Sequence, residues 1–559
     1  MKYYLIPCFL FIAFLLPKPA LAQTIVPKEL DLALSKVVKS NDPGFALSIV
    51  KHGQVKYAHA FGMADLAGHR QNNVATPFDI ASASKQFTAV CIYLLEQQGK
   101  LKTSDKLSKY FPDFPAYADT ITIAHLIHHQ SGLRDYLTLF ALQNMKENAA
   151  FDDADAYAKL SRQKRLNFQP GAQYSYSNSG YFLLSMIVKQ VSGQDLQEFA
   201  QANIFRPLKM YHTAFSHSHK VADKANAYVF DGESYSEFNP VESTIGHSHV
   251  YSPVTDWQRW FNEMNSHKLL GHALWAKMLN PASTSNGTVT EYAGGLLIGN
   301  YKDKMAIYHG GDLFGYHSRM IWFPQEDLGI IVLTNDEAVS ADNVVDVVYS
   351  SIYKTAKTAA PARPVKTKPK ATQSSISIVP NRYIGIYRDN GNPEQNFEVT
   401  AKDSNLVVTQ LWNLVTYPIV ADNDSLFHIA GVDGITFNFK DTIAGKAGKM
   451  ELSEKNKLSH YTRLKKPLTP DQATINGYLG RYYGEEIETY YTVFQDAGKL
   501  KIKMGEMELS LARIGEKENY HIVGIDMSLL FHRNKEAKID GMDVEHIRIK
   551  GLHLVKQDL

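Results

Sequence analysis

Ser82 and Lys85 stand three positions apart in Ser82-Ala83-Ser84-Lys85, a spacing that on a helix places a hydroxyl and an amine on one face. A serine hydroxyl is a poor nucleophile until a neighbouring base takes its proton, and a desolvated lysine can be that base. A helix start adds unpaired backbone N–H groups and a positive dipole end, which suit a developing oxyanion. The chemistry within reach is acyl transfer. Alone the pattern selects little, because Ser-x-x-Lys also occurs at Ser48/Lys51, Ser161/Lys164 and Ser351/Lys354.

Order along the chain selects Ser82. Tyr176-Ser177-Asn178 follows inside the string Gln169 to Tyr181, and His309-Gly310-Gly311 comes later, directly after the strand-like run Met305 to Tyr308. Supporting strings are Phe78-Asp-Ile-Ala-Ser-Ala-Ser-Lys-Gln-Phe-Thr-Ala, His129-Gln-Ser-Gly-Leu133 and Phe323 to Asn335. In this order the motifs resemble the serine β-lactamase and penicillin-binding-protein superfamily, in the branch of class C β-lactamases, D-Ala-D-Ala carboxypeptidases, D-aminopeptidases and related esterases. The resemblance spans roughly residues 30–340.

The resemblance implies an acyl-enzyme on Ser82 and no cofactor. Lys85 and Tyr176 would titrate as a coupled pair, the ammonium acidifying the phenol. Tyr176 is read as the base and as the acid toward the leaving group, with Lys85 its electrostatic partner. Asn178, taken as part of the same loop, would hydrogen-bond the acyl side chain and Lys85. His309 would line the pocket opposite Ser82, and the backbone N–H groups of Ser82 and Asp312 would form the oxyanion hole, where one donor is worth about 2.7–4 kcal/mol. Gly310 and Gly311 would let substrate lie against the strand with no Cβ in the way.

Two departures bear on the substrate. His309 occupies a place where many relatives carry Lys, so a titratable group replaces a fixed charge. That favours D-aminopeptidase, His-type carboxypeptidase or esterase chemistry over an efficient β-lactamase. The string Gly246 to Ser252 replaces a glycine-rich segment, and His247 and His249 are expected to narrow the pocket. His217/His219 and His247/His249 are also His-x-His pairs, but zinc needs three or four converging ligands and no acid or cysteine stands at metal spacing beside them. They are read as loop histidines, with no metal site. Cys91 is read as a small core residue.

These groups need a scaffold. Gly44 to Lys51 and Gln54 to Phe61 are apolar β-rich runs separated by His52-Gly53, a hairpin signal, and Tyr292 to Asn300, Met305 to Tyr308, Ser318 to Phe323 and Gly329 to Thr334 supply four more strands. Apolar spacing from Phe87 to Leu95 predicts a helix closed by Gly99, and Tyr181 to Val191 another with Gly193 near its end. Strands at both ends with helices between them predict an α+β domain, an antiparallel sheet flanked by helices, that brings the first and last quarters of the segment together.

Residues 1–22 have the basic start, apolar run and Ala20-Leu21-Ala22 ending of a secretory signal, so the protein is expected to be exported, periplasmic or secreted, with no stable membrane span after cleavage. Cys8 leaves with that segment. The hydrolase domain is then 23–355 and a Pro- and Lys-rich linker 356–378. Tyr383-Ile-Gly-Ile-Tyr387 recurs as Tyr478-Leu-Gly-Arg-Tyr482, predicting two related all-β modules, 379–468 and 469–559, of barrel or lipocalin-like type. With 59 Lys and Arg against 57 Asp and Glu, the chain lacks the bulk charge of a nucleic-acid binder. The expected partner is a small peptide, a peptidoglycan fragment or an ester; the sequence sets no oligomeric state. Readings of another class, a non-catalytic envelope or peptidoglycan-binding protein, and of the same fold, a carboxylesterase or weak β-lactamase, stand beside the peptidase.

Overall fold

The computed structural model describes residues 25–145, 150–353 and 379–558, apart from 392–394, 403–404, 412–414, 431, 433, 455–456, 465–469 and 514–517. The expected signal at 1–22, with Cys8, and the expected linker at 356–378 lie outside the described residues. Among the described residues no helix is long and apolar enough to cross a membrane.

Phe45–Lys51 and Gln54–Phe61 form the expected hairpin. His52 and Gly53 both take left-handed φ, 50° and 72°, as a tight two-residue turn between right-twisted strands requires. This hairpin is one edge of a six-stranded antiparallel sheet, continued in space by Leu328–Thr334, Tyr316–Phe323, Lys304–Leu313 and Leu297–Tyr301. Phe45 pairs with Thr334, so the two ends of the domain meet as expected. Leu328–Thr334 is buried at every position because both faces of the sheet are covered. Ile330 and Val332 pack with Val344 and Val348 of the Ala341–Tyr353 helix, while Ile331 and Leu333 join the larger core that contains Phe87.

The expected strand Tyr292–Asn300 is shorter than the apolar run. Pairing begins at Leu297, because the chain turns at Gly295, whose φ is 72°. A Cβ there would stand 2.5 Å from the Gln86 amide nitrogen, so the turn packs directly on the helix that carries Lys85. That helix runs Lys85–Gln97, and Gly99 takes φ 70° beyond its end. The second expected helix runs Asn178–Ser192 and stops at left-handed Gly193. Cys91 is buried in the core.

Two closed eight-stranded barrels follow, with strands from Gly385 to Arg463 and from Gly480 to Gln557. The repeated aromatic motif has one structural job in both. The Tyr387 hydroxyl donates to the Tyr383 carbonyl at 2.8 Å, and the Tyr482 hydroxyl donates to the Tyr478 carbonyl at 2.6 Å. All four rings are buried in the barrel cores, as expected of core rather than ligand-binding aromatics.

The second barrel is fused to the N-terminal α+β domain through its core. Leu139 and Leu142, on the helix Tyr136–Asn144, belong to the barrel's own apolar cluster, and the Tyr491 hydroxyl donates to the Leu142 carbonyl at 2.8 Å.

Candidate active site

Ser82 lies on a 3₁₀ turn, Ala81–Ser84, that leads into the Lys85–Gln97 helix. Three bonds pin this turn. Asp79 Oδ1 accepts the Ala81 N–H at 2.8 Å, Ser84 Oγ accepts the Val250 N–H at 3.0 Å, and the Ile80 N–H reaches the Val250 carbonyl at 2.9 Å. Ala81 is held at φ 47°, a strained angle for a residue with a Cβ, directly before Ser82. Ala81, Ala83 and Ser84 are buried while Ser82 stays partly open.

Lys85 is fully buried, and its Nζ meets Ser82 Oγ at 3.1 Å, Asn178 Oδ1 at 2.9 Å and the His247 carbonyl at 2.8 Å. Burial, reinforced by the positive charge of Arg548 and opposed by Asp135, pushes its pKa well below the ordinary lysine value. A neutral amine has two N–H donors and one lone pair. Asn178 Oδ1 and the His247 carbonyl can only accept, so they take the two donors and the lone pair faces the Ser82 hydroxyl.

Tyr176 is half-buried, its hydroxyl shielded from solvent, with its ring centre 4.8 Å from Lys85 Nζ. The expectation that the ammonium acidifies this phenol is reversed. Burial raises the Tyr176 pKa, and the Ser82 hydroxyl and Arg548 only partly oppose it. Among the described residues the phenol hydroxyl has no hydrogen-bond partner. It stays protonated, a donor on the cleft that Ser82 lines.

Asn178 is the first residue of its helix, not a loop residue. Its N–H donates to Asp135 Oδ2 at 2.7 Å, and Asp135 also caps the Tyr136–Asn144 helix by accepting the Thr138 N–H at 3.0 Å. Asp135 thereby sets the height of Asn178 against Lys85. Sequence reasoning missed Asp135, which carries no motif beyond standing two residues after Leu133.

His309 is buried on the Lys304–Leu313 strand. Its Nδ1 faces the Gly310 carbonyl at 2.5 Å and must carry the proton, so Nε2 accepts from the Tyr292 hydroxyl at 3.1 Å. Burial first, and then the Lys85 amine whenever it is protonated, lower its pKa to about 3. The expected titratable charge is therefore a neutral imidazole across the physiological range. The two glycines also have packing reasons of their own. A Cβ on Gly311 would stand 2.3 Å from the Ile80 carbonyl oxygen and 2.8 Å from the Ser82 nitrogen, so Gly311 lets the strand touch the nucleophile turn. A Cβ on Gly310 would strike the Arg319 guanidinium at 2.9 Å. Asp312, next along the strand, reaches the cleft, its carboxylate paired with His317 Nδ1 at 2.7 Å.

Neither His247 nor His249 narrows the pocket. His247 acts through its carbonyl, with its ring buried against Tyr136 and Ser248. His249 lies between Asp79 at 2.7 Å and Glu242 at 3.1 Å. Burial alone would lower its pKa, but the two carboxylates outweigh it and raise the value to about 10. Asp79, His219 and His249 bring ligand-type atoms within 4.8 Å of one another, an acid that sequence spacing did not reveal. His219 faces the Tyr251 hydroxyl at 3.2 Å and the Glu242 carbonyl at 2.5 Å, so both rings are satisfied by protein groups.

Ser82, Tyr176, Asn178 and Asp312 open on a cleft of about 490 Å³. Phe140, Phe151, Phe238 and Phe314 give it apolar walls, and the second barrel closes one side with Met527, His546 and Arg548. Arg548 sits in the turn between the last two barrel strands, 5.5 Å from the Tyr176 ring centre and 3.9 Å from Asp135. Its carbonyl accepts from Asn167 at 2.9 Å, and Arg134 holds the Lys550 and Gly551 carbonyls, each at 2.9 Å. No sequence signal tied this turn to Ser82, more than 450 residues away.

Residues 33–349 match the protein-family model described as Beta-lactamase. Penicillin-binding protein 4* of Bacillus subtilis is 28% identical over 352 residues, covering 60% of this chain and 77% of that protein. The D-aminopeptidase of Brucella anthropi is 28% identical over 308 residues, 54% of this chain and 57% of that protein, so the chain matches less than two thirds of that relative's length. Among solved structures, the octameric penicillin-binding protein homologue of Pyrococcus abyssi shares the fold at a TM-score of 0.55 and 20% identity, covering 78% of this chain and 99% of that one.

Proposed function

The chain belongs to the Beta-lactamase family, and on that premise we propose that it is an exported serine hydrolase that forms an acyl-enzyme on Ser82 and cleaves D-amino-acid amides, as a D-peptidase or carboxypeptidase-type enzyme. One observation carries this reading: the buried Lys85 amine, its pKa pushed well below the ordinary lysine value, stands 3.1 Å from Ser82 Oγ. Lys85 takes the hydroxyl proton as Oγ bonds to the substrate carbonyl carbon. The carbonyl oxygen becomes an oxyanion held by the backbone N–H groups of Ser82 and Asp312. As the C–N bond breaks, the Tyr176 hydroxyl gives its proton to the leaving nitrogen and recovers one from the Lys85 ammonium. Water, deprotonated by the same base, then releases the acid and regenerates Ser82.

The neutral His309 supports amide substrates recognised without a fixed charge at that strand position. The relatives named D-aminopeptidase and penicillin-binding protein support the same class. The phenylalanine walls suit an apolar acyl side chain. Export rests on the signal-like character of residues 1–22.

Turnover of a D-alanyl anilide, a p-nitrophenyl ester and a labelled penicillin, each with Ser82→Ala as control, tests the reading. Ser82-dependent anilide cleavage is expected. Turnover of the ester alone would replace the peptidase by an esterase, penicillin alone by a β-lactamase, and none of the three by a binding protein.

A further inference from the structure

The outer face of the second barrel carries three ligating side chains on three adjacent strands. His532 lies on Ser528–Arg533, Asp543 on Ile539–His546 and His553 on Ile549–Gln557. Asp543 is directly opposite His553 in the register, and His532 is opposite Gly541, two residues along the same face. His553 Nδ1 lies 2.7 Å from Asp543 Oδ1 and His532 Nε2 lies 3.1 Å from Asp543 Oδ2. The three ligand atoms fall within 4.8 Å of one another.

We infer that His532, Asp543 and His553 form a site for a divalent transition metal, zinc in the first instance, that ties together the last three strands of the barrel. Three features separate this triad from an ordinary ion pair. His532 Nε2 is shielded from solvent and, although close to the carboxylate, makes no hydrogen bond of acceptable geometry. A nitrogen pointing off the axis of its neighbour is wasted as a donor but suits a ligand aimed at a common centre. Gly541 gives the His553 ring room to lie against the sheet with its Nδ1 toward Asp543, since a Cβ there would stand 2.7 Å from His553 Cε1 and 3.1 Å from its Nε2. Two imidazoles with one carboxylate also form a donor set that zinc accepts, at about 2.0–2.2 Å per bond, with a water as fourth ligand. The buried cluster of Asp79, His219 and His249 lacks the first feature, because its ring nitrogens are all engaged.

The placement gives the metal a structural consequence. Two of its three strands run into the turn that holds Arg548 in the catalytic cleft. Zinc at this site would brace that hairpin from the far side of the sheet.

Calorimetric titration of the full mature chain, stripped with chelator, with zinc chloride tests the site. One equivalent is expected to bind and to raise the melting temperature. His532→Gln and His553→Gln are expected to weaken binding by about tenfold or more, Gly541→Ala to weaken it while keeping every ligand, and His219→Gln to leave it unchanged. Cobalt(II) in place of zinc is expected to give the visible absorption of a four-coordinate site, lost in His553→Gln. Absence of a stoichiometric equivalent in the unmodified chain would overturn the site. So would binding that survives both His532→Gln and His553→Gln, or that disappears in folded His219→Gln.

Discussion

Arg134 of the Beta-lactamase domain and Glu486 of the second barrel meet at 2.7 Å, and both side chains are almost wholly removed from solvent. The same guanidinium also donates to the carbonyls of Lys550 and Gly551, next to Arg548. A buried pair of this kind is a poor source of net stability but an expensive one to break on one side, about 3–5 kcal/mol, because the remaining charge is stranded. Its position makes the barrel part of the cleft at Ser82 rather than a tethered accessory.

Glu486→Ala is therefore expected to lower the unfolding free energy by about 3–5 kcal/mol, measured by urea denaturation of the full chain. It is also expected to raise KM more than it lowers kcat, since the barrel wall loosens while Ser82 and Lys85 keep their contacts. An unchanged denaturation midpoint would mean that the barrel docks without this pair.

Arg548→Ala removes a positive charge that helps to depress the Lys85 pKa. With that charge gone the pKa of Lys85 rises, and because Lys85 must be neutral to accept the Ser82 proton, the acid limb of the kcat/KM profile moves to higher pH. Activity just above the original limb is expected to fall severalfold, and Arg548→Lys to restore the profile. A limb that does not move in Arg548→Ala would contradict the coupling.

Tyr176→Phe removes a hydroxyl that has no protein partner. Stability is expected to change by less than about 1 kcal/mol, while kcat for an anilide falls about 10²–10⁴-fold, the usual worth of a positioned acid. An activated ester, whose leaving group needs no proton, is expected to be affected much less. Equal losses on the two substrates would assign Tyr176 to positioning instead.

His249 titrates near pH 10 in the folded chain against 6.5 ordinarily. The folded value is the higher one, so its stabilisation is complete below pH 6.5 and is lost as pH rises through about 10. His249→Gln strands Asp79 and Glu242 and is expected to cost about 3–5 kcal/mol near neutrality. The gap between the two proteins in melting temperature is expected to narrow steadily from pH 7 to pH 10.

Local signals carried much of this architecture. The hairpin at His52-Gly53, the helix after Ser82 and the paired Tyr-x-Gly-x-Tyr motifs were readable because each depends on a handful of consecutive residues. Ser82, Lys85 and Asn178 were readable as a set by their order, and they do converge. What escaped were distances that only folding creates. Asp135 meets Asn178 across 43 positions, Asp79 meets His249 across 170, and Arg548 reaches the cleft from the other end of the chain. Directions of pKa shift escaped for the same reason. Lys85 and Tyr176 paired by motif order suggest an ammonium acidifying a phenol, but desolvating the amine and the phenol hydroxyl favours the neutral form of both.

The rate of Ser82 acylation in Lys85→Met, followed by intact-protein mass with a D-alanyl ester or penicillin as acyl donor, bears most directly on the central claim. The account predicts one acyl adduct on the unmodified chain, none in Ser82→Ala, and acylation at least about 10²-fold slower in Lys85→Met. Acylation of Lys85→Met at the unmodified rate, or an adduct that persists in Ser82→Ala, would contradict it.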